Sequence, residues 1–302
     1  MYTEDEGTID GLVHLYVDGA FSRRELIQRV ARHTGGVAAA IAALSGYSVL
    51  NAQSVSTCDA DARVPPDAPD LNVADVQFPG EAGSIFGYLA SPRAVSGPLP
   101  AVIVIHENRG LVDHIQDVTR RVARAGYVGL AVDLLSRQGG TQQFTDPVQQ
   151  MQAYARTTPD ERYVDLVAGL TYLKFLEYVQ YDHIATVGFC AGGGNAWNLA
   201  VNLPELRAVV IFYGTPIPPT DQLMQINSPV LAMYAELDRN LTLQTPTMIT
   251  TMISQQKIFG FRIYQGAGHA FHNDTGPNYN EAAACDAWSQ TVAWFDKFLR
   301  NP

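Results

Sequence analysis

Cysteine and charged residues are both scarce in this sequence, and each shortage excludes a class of protein. The three cysteines are too few for a disulfide framework, and they lack the close pairing typical of a zinc site. Charged residues make up 17% of the chain and hydrophobic residues 47%, whereas an average protein has about 25% charged residues. A chain of 302 residues with this composition can bury a large core, which excludes a disordered protein.

Positive charge and long apolar runs are scarce as well. The 20 lysines and arginines are outnumbered by 30 aspartates and glutamates, so the net charge is −10. An acidic surface repels polyanions, and we therefore expect no nucleic-acid partner. No apolar run reaches the roughly 18 residues of a membrane span, so we expect no such span. The composition indicates a soluble globular protein, and we expect an enzyme with a small-molecule substrate. Pairwise assembly through the N-terminal helices stays open, although nothing in the sequence supports it.

Residues 1–70 differ from the rest of the chain, and we predict that they form a helical extension followed by a linker. Arg23–Leu50 is rich in alanine and has apolar residues at helical spacing, whereas residues 53–69 are polar and rich in proline. Ser22–Ile27 followed by Gly35–Leu44 also resembles a twin-arginine export signal. Two locations therefore stay open: the cytoplasm, with the extension retained, which we favour, and the periplasm after export.

From residue 71 to residue 302, segments with strand and helix patterns alternate. Val73–Phe78 and Ser84–Leu89 are predicted to form an antiparallel hairpin. Apolar runs typical of strands buried on both faces follow, most of them separated by helical patterns, at residues 101–105, 128–134, 184–189, 208–213, 230–235 and 261–264. Parallel strands joined by helices require right-handed crossovers, which place helices on both faces of the sheet. The sequence therefore predicts an α/β catalytic domain over residues 71–302, with a mostly parallel central sheet flanked by helices.

The segment Gly188-Phe189-Cys190-Ala191-Gly192 lies where a predicted strand gives way to a helix. In the α/β-hydrolase fold the nucleophile occupies such a turn with a strained backbone, so the residues two before and two after it must be very small. The free N–H groups and the positive dipole end of the following helix point at that nucleophile. We therefore predict that Cys190 is a nucleophile. Taken alone, the pattern is equally typical of a small buried cysteine before a glycine-rich helix.

Two later strand ends supply the residue types that a cysteine nucleophile needs. Asp238 follows one predicted buried strand, and His269 follows the next on a loop with glycines at 266 and 268. The order nucleophile, acid, histidine is the order of the triad in this fold, and the carboxyl ends of parallel strands meet at one edge of the sheet. We predict a triad of Cys190, Asp238 and His269, with Glu236 as the alternative acid.

Five segments together resemble the dienelactone hydrolases, also called carboxymethylenebutenolidases: His106–Gly110, Asp133–Gln138, Gly188–Gly194, Tyr234–Asp238 and Gly268–Asn273. The resemblance covers about residues 73–300 and is strongest to a subgroup with the His-Glu-Asn-Arg-Gly motif and an added N-terminal helical segment. It implies an α/β-hydrolase fold, a Cys-His-Asp triad, and cleavage of a lactone or a small carboxylic ester without a cofactor or a metal.

The resemblance assigns roles to further residues. It implies that Glu107 contacts the resting thiol and assists its deprotonation as an auxiliary base. It implies that the amides of Asn108 and Ala191 form the oxyanion hole, since the fold uses the N–H after the nucleophile and one from the loop after an early strand. Arg137 would hold a substrate carboxylate, a contact suited to a planar bidentate donor.

The segment after His269 departs from the family pattern. The family's second carboxylate-binding arginine falls where this chain has His272-Asn273-Asp274, and Asn273 cannot supply that charge. Either His272 substitutes when protonated, or the substrate is not a dienelactone. His269 and His272 could instead form a metal pair, but no third ligand converges on them, so we expect no metal.

Two other functions stay open. One is a broad-specificity carboxylesterase that uses the same residues, and the other is a non-catalytic binding protein whose N-terminal extension docks to a partner. The remaining cysteines, Cys58 in the linker and Cys285 in the last predicted helix, are expected to be free thiols.

Overall fold

The chain divides into two units, residues 1–57 and residues 58–302. A computed structural model describes residues 9, 12, 23–44, 63–94 and 96–300. Most of the predicted linker, together with Ser22 and Cys58, therefore lies outside the described residues. Residues 63–70, which the sequence places in the extension, belong to the second unit.

The described part of the first unit contains two helices, α1 (Arg23–Thr34) and α2 (Val37–Leu44). Gly35 separates them with a φ of 81°, the left-handed conformation in which glycine commonly ends a helix. Apolar side chains at helical spacing pack together within this unit, since Leu26 and Val30 are buried in one cluster with Ala40.

The second unit is built on an eight-stranded sheet, as far as the described residues extend. Its strands are β1 (Leu71–Gly80), β2 (Gly83–Pro92), β3 (Leu99–Ile105), β4 (Val128–Val132), β5 (Val179–Phe189), β6 (Ala208–Phe212), β7 (Val230–Ala235) and β8 (Phe259–Tyr264). Their order across the sheet is β1-β2-β4-β3-β5-β6-β7-β8. The β1–β2 and β2–β4 pairs are antiparallel and the other pairs are parallel, which confirms the predicted fold class.

Helices connect and cover these strands. They are α3 (Asp113–Arg124), α4 (Pro147–Arg156), α5 (Pro159–Lys174), α6 (Ala191–Asn202), α7 (Thr220–Leu223), α8 (Arg239–Thr242), α9 (Thr245–Ser254) and α10 (Glu281–Phe295). The start of α5 has a capping box, in which Thr158 and Glu161 satisfy each other's free backbone N–H groups. In the part of the chain that the structure describes, every helix is too short or too polar to cross a membrane.

The strands in the middle of the sheet are buried on both faces. Every residue of β4, β6 and β7 is buried, which explains why they appear in the sequence as unbroken apolar runs. The start of β5 differs, because residues 180–183 are polar and partly exposed although Val179 pairs with Leu99 of β3. An apolar run therefore marks only the buried half of β5, and the sequence predicts its start at residue 184 instead of 179.

Cys285 lies in α10 and is disulfide-bonded, so the prediction of a free thiol at this position is wrong. The pairing of cysteines cannot be deduced from sequence alone, and a chain with three cysteines gives no pattern to read. Among the described residues, Cys190 is the free cysteine.

Candidate active site

Cys190 occupies a sharp turn between β5 and α6. Its φ of 54° and ψ of −117° lie in a region that a residue with a side chain rarely adopts. A Cβ on Gly188 would lie 2.2 Å from the carbonyl oxygen of Gly192, and one on Gly192 would lie 2.3 Å from that of Ile105. The two glycines therefore allow the turn to pack backbone against backbone, as the sequence predicts for positions two before and two after a nucleophile.

The structure brings together the three residues predicted as a triad. His269 Nε2 lies 3.1 Å from the Cys190 Sγ, and His269 Nδ1 lies 2.5 Å from Asp238 Oδ2. Glu236, the alternative acid, instead accepts a hydrogen bond of 2.8 Å from the Gly266 amide. The imidazole therefore links the thiol to Asp238, and its side chain is 35% exposed, which leaves it accessible to a small molecule.

Hydrogen bonds hold the loop that carries His269 in place on both sides of the histidine. Before the histidine, Leu237 donates to the Ala267 carbonyl at 2.9 Å. After it, Asp274 accepts hydrogen bonds from Arg63 at 2.7 Å and from Arg121 at 2.9 Å. Burial opposes ionisation of Asp274, but the nearby His114 at 3.4 Å, the hydrogen bond from Arg63 and the charge of Arg121 outweigh it and lower its pKa. The carboxylate thus stays charged and anchors the loop to α3 and to the chain before β1.

The Cys190 thiol lies in surroundings that favour its protonated form. Burial first, and then the negative charge of Glu107, raise the pKa of Cys190 to about 12, against an opposing hydrogen bond from the Ala191 amide. The thiol is therefore protonated at neutral pH. It becomes a nucleophile only when a base takes its proton, and His269 Nε2 is within hydrogen-bond reach of it.

Glu107 lies two residues after the end of β3, at the carboxyl edge of the sheet, and its side chain is almost completely buried. Its Oε2 accepts a hydrogen bond of 3.1 Å from Asn273 Nδ2. Asn273 Oδ1 in turn accepts from the Thr275 amide at 3.0 Å and from the Thr275 hydroxyl at 2.6 Å, which fixes the orientation of the amide group. Asn273 therefore holds the carboxylate through a neutral group, a contact that the sequence does not reveal.

The two amides predicted for an oxyanion hole belong to the residue after Cys190 and to the loop after β3. Ala191 begins α6, and its N–H is directed at the Cys190 sulfur. Asn108 lies in the loop after β3, and its N–H has no hydrogen-bond acceptor among the residues that the structure describes. Their part in an oxyanion hole stays a prediction.

The structure places Arg137 in an ion pair. Its Nε and Nη2 form a bidentate contact with Asp165 at 3.0 and 2.9 Å, and Glu161 lies within 3.8 Å of its Nη1. The Asp165 side chain is only 1% exposed, so it depends on this guanidinium for compensation of its charge. The predicted contact between Arg137 and a substrate carboxylate stays a prediction, and it would compete with this pair.

His272 is fully buried in an aromatic cluster. Its ring stacks on Phe189 at a centroid distance of 5.3 Å and also contacts Phe212 and Trp288. The substrate contact predicted for it would require this packing to open. His269 faces Cys190 instead, and the described residues contain no group of three metal-ligating side chains that could hold an ion.

A cysteine on a strand-to-helix turn, with an acid and a histidine from later strand ends, on a mostly parallel sheet, defines an α/β-hydrolase. Within that fold, the sequence model of the "Dienelactone hydrolase family" matches residues 85–299. The chain belongs to this family and is a hydrolase that acts on ester bonds, lactones being cyclic esters.

Individual relatives agree with this assignment. A protein of Methylorubrum extorquens named "Putative carboxymethylenebutenolidase" is 32% identical over 258 residues, which cover 82% of this chain and 88% of that protein. A protein of the same name from Synechocystis is 33% identical over 250 residues, which cover 76% of this chain and 99% of that protein. The crystal structure of a "Putative Dienelactone Hydrolase" from Klebsiella pneumoniae has a TM-score of 0.69 at 27% identity and covers 76% of this chain and 99% of that one.

Proposed function

We propose that this protein hydrolyses lactones or small carboxylic esters with Cys190 as nucleophile, His269 as general base and acid, and Asp238 as the residue that orients the imidazole. The contact of 3.1 Å between His269 Nε2 and Cys190 Sγ carries this proposal. Because the thiol is protonated at rest, a base within hydrogen-bond reach is what the chemistry requires.

The reaction begins when His269 accepts the thiol proton and the sulfur attacks the carbonyl carbon. The carbonyl oxygen becomes an oxyanion, and the amides of Asn108 and Ala191 donate to it. Collapse of this intermediate breaks the C–O bond, and His269 returns its proton to the leaving alkoxide. Water, deprotonated by His269, then releases the carboxylic acid from the acyl-enzyme and restores the thiol. Glu107, whose charge acts on the thiol, serves as an auxiliary proton acceptor.

A broad-specificity carboxylesterase is the second candidate, and the ion pair of Arg137 favours it. A guanidinium already bound in bidentate fashion by Asp165 is less available to a substrate carboxylate. Comparing kcat/KM for a dienelactone and for p-nitrophenyl acetate separates the two candidates. A preference for the neutral ester supports the broad esterase.

The test of the mechanism compares the three triad residues with Glu236, the alternative acid. We expect Cys190→Ala and His269→Ala each to abolish hydrolysis, and Asp238→Asn to lower kcat by about 10³- to 10⁴-fold because the imidazole loses its orienting partner. Glu236→Gln is the matched control, since Glu236 binds the loop backbone instead of His269, and it should leave kcat unchanged. Turnover at the wild-type rate by Cys190→Ala would refute the proposal and would favour another nucleophile, whereas a wild type without any turnover would favour a binding protein.

A further inference from the structure

His106, the last residue before Glu107, has both ring nitrogens bound to backbone groups. Its Nε2 accepts a hydrogen bond of 3.0 Å from the Leu134 amide, and its Nδ1 lies 2.6 Å from the carbonyl oxygen of Glu107. A backbone N–H can only donate and a carbonyl can only accept, so the proton must be on Nδ1. The ring is completely buried, and burial lowers the pKa of His106, which agrees with a neutral imidazole.

The Glu107 carbonyl that accepts this bond belongs to the same peptide unit as the Asn108 N–H. That peptide is trans, because Thr215–Pro216 is the cis bond among the described residues. In a planar trans peptide the C=O and the N–H point in opposite directions. A ring that fixes the direction of the Glu107 carbonyl therefore also fixes the direction of the Asn108 N–H, on the opposite side.

The turn at Cys190 lies next to the segment that carries this peptide. A Cβ on Gly192 would lie 2.4 Å from the His106 carbonyl oxygen, so this turn packs directly against the end of β3. The negative charge of Glu107, whose carbonyl the ring holds, also raises the pKa of the Cys190 thiol. The Asn108 N–H has no acceptor among the described residues, so a bound oxyanion would be its partner.

We propose that His106 is a positioning residue that holds the Glu107–Asn108 peptide and thereby aims the Asn108 amide at the oxyanion. This inference rests on the proposed function, because it assumes that an oxyanion forms next to Cys190. His106 touches neither the substrate nor the thiol in this role. Its effect is to reduce the reorganisation that the amide would otherwise need in the transition state.

The experiment replaces the ring and measures three quantities. His106→Leu removes the N–H from Nδ1, whereas His106→Asn keeps an N–H at nearly the same place. We measure ester hydrolysis, alkylation of Cys190 by iodoacetamide, and the concentration of an aldehyde that protects Cys190 from alkylation. An aldehyde adds to the thiol to form a thiohemiacetal, whose oxygen occupies the oxyanion hole, whereas alkylation displaces iodide and forms no oxyanion.

We expect His106→Leu to lower kcat by about 10- to 10³-fold with little change in KM, the upper value being the loss of one oxyanion donor. The protecting aldehyde concentration should rise by a similar factor, while the alkylation rate stays within about twofold. His106→Asn should recover part of both losses. Thr186→Val is the matched control, because the Thr186 hydroxyl is also buried and also donates to a β3 carbonyl, that of Ile103 at 3.1 Å. This substitution should leave all three quantities unchanged.

Three outcomes would overturn the inference. They are wild-type hydrolysis by His106→Leu, a fall in alkylation parallel to hydrolysis, and no recovery in His106→Asn. If His106→Leu does not fold, His106→Met fills the same space without an N–H and carries the same expectations. A wild-type protein that hydrolyses no ester would contradict the proposed function instead, so the two failures are distinguishable.

Discussion

Replacing Glu107 by glutamine should change thiol reactivity and hydrolysis in opposite directions. The thiol has a pKa of about 12, and the negative charge of Glu107 is the largest contribution after burial. At pH 8 a thiol with that pKa is only about 1 part in 10⁴ thiolate. Glu107→Gln removes the charge but keeps the shape, so the pKa of Cys190 should fall and the thiolate fraction should rise, by about tenfold for each unit of pKa.

The assay is the rate of Cys190 alkylation by iodoacetamide, followed by mass spectrometry of the peptide that contains it. For the wild type we expect the rate to rise about tenfold per pH unit from pH 7 to pH 10 without a plateau, because only the thiolate reacts and the pKa lies higher. Glu107→Gln should alkylate faster at every pH in this range and yet hydrolyse esters more slowly, because the auxiliary base is gone. Glu236→Gln, which removes an acid that binds the Gly266 amide, should change neither. An unchanged alkylation profile in Glu107→Gln would refute the claim that the negative charge of Glu107 raises the pKa of Cys190.

Two further predictions concern stability. Gly192→Ala should lower the free energy of unfolding by about 2–3 kcal/mol in urea titrations, because its Cβ would lie 2.3 Å from the Ile105 carbonyl oxygen. Gly36→Ala is the control and should have little effect, because its Cβ would have no atom within 4 Å. An equal effect of both would contradict the close packing of the turn. Arg137→Ala should lower the free energy of unfolding by about 3 kcal/mol, because it leaves the buried Asp165 without its partner. Arg124→Ala, which breaks an exposed pair with Asp70, is the comparison and should lower it by clearly less. A stable Arg137→Ala that loses affinity only for carboxylate-bearing esters would instead support the predicted substrate contact.

Sequence reasoning predicts the features that depend on short patterns of neighbouring residues. The turn at Cys190 is marked by glycines at fixed distances, because a Cβ at either position would strike a backbone atom. Asp238 and His269 follow buried apolar runs, and the carboxyl ends of parallel strands meet at one edge whatever the details of packing. His269 lies within hydrogen-bond distance of both Cys190 and Asp238, which agrees with the predicted triad, whose catalytic role stays a proposal.

The features that it misses are contacts between residues far apart in the chain. Asp165 is 28 residues from Arg137, and Asn273 is 166 residues from Glu107, so no spacing rule connects either pair. The disulfide bond of Cys285 is missed for the same reason, because it depends on which cysteine the fold brings near. His106 stands in a recognised motif, but its role follows only from the two backbone groups that surround its ring.

The protonated state of Cys190 has a consequence for the lifetime of the protein. Peroxides oxidise a thiolate to sulfenic and then to sulfinic acid far more readily than they oxidise a thiol. Surroundings that hold the pKa near 12 therefore shield the sulfur from oxidants whenever no ester is bound. A nucleophile that is activated only during turnover loses little to chemical damage between one turnover and the next.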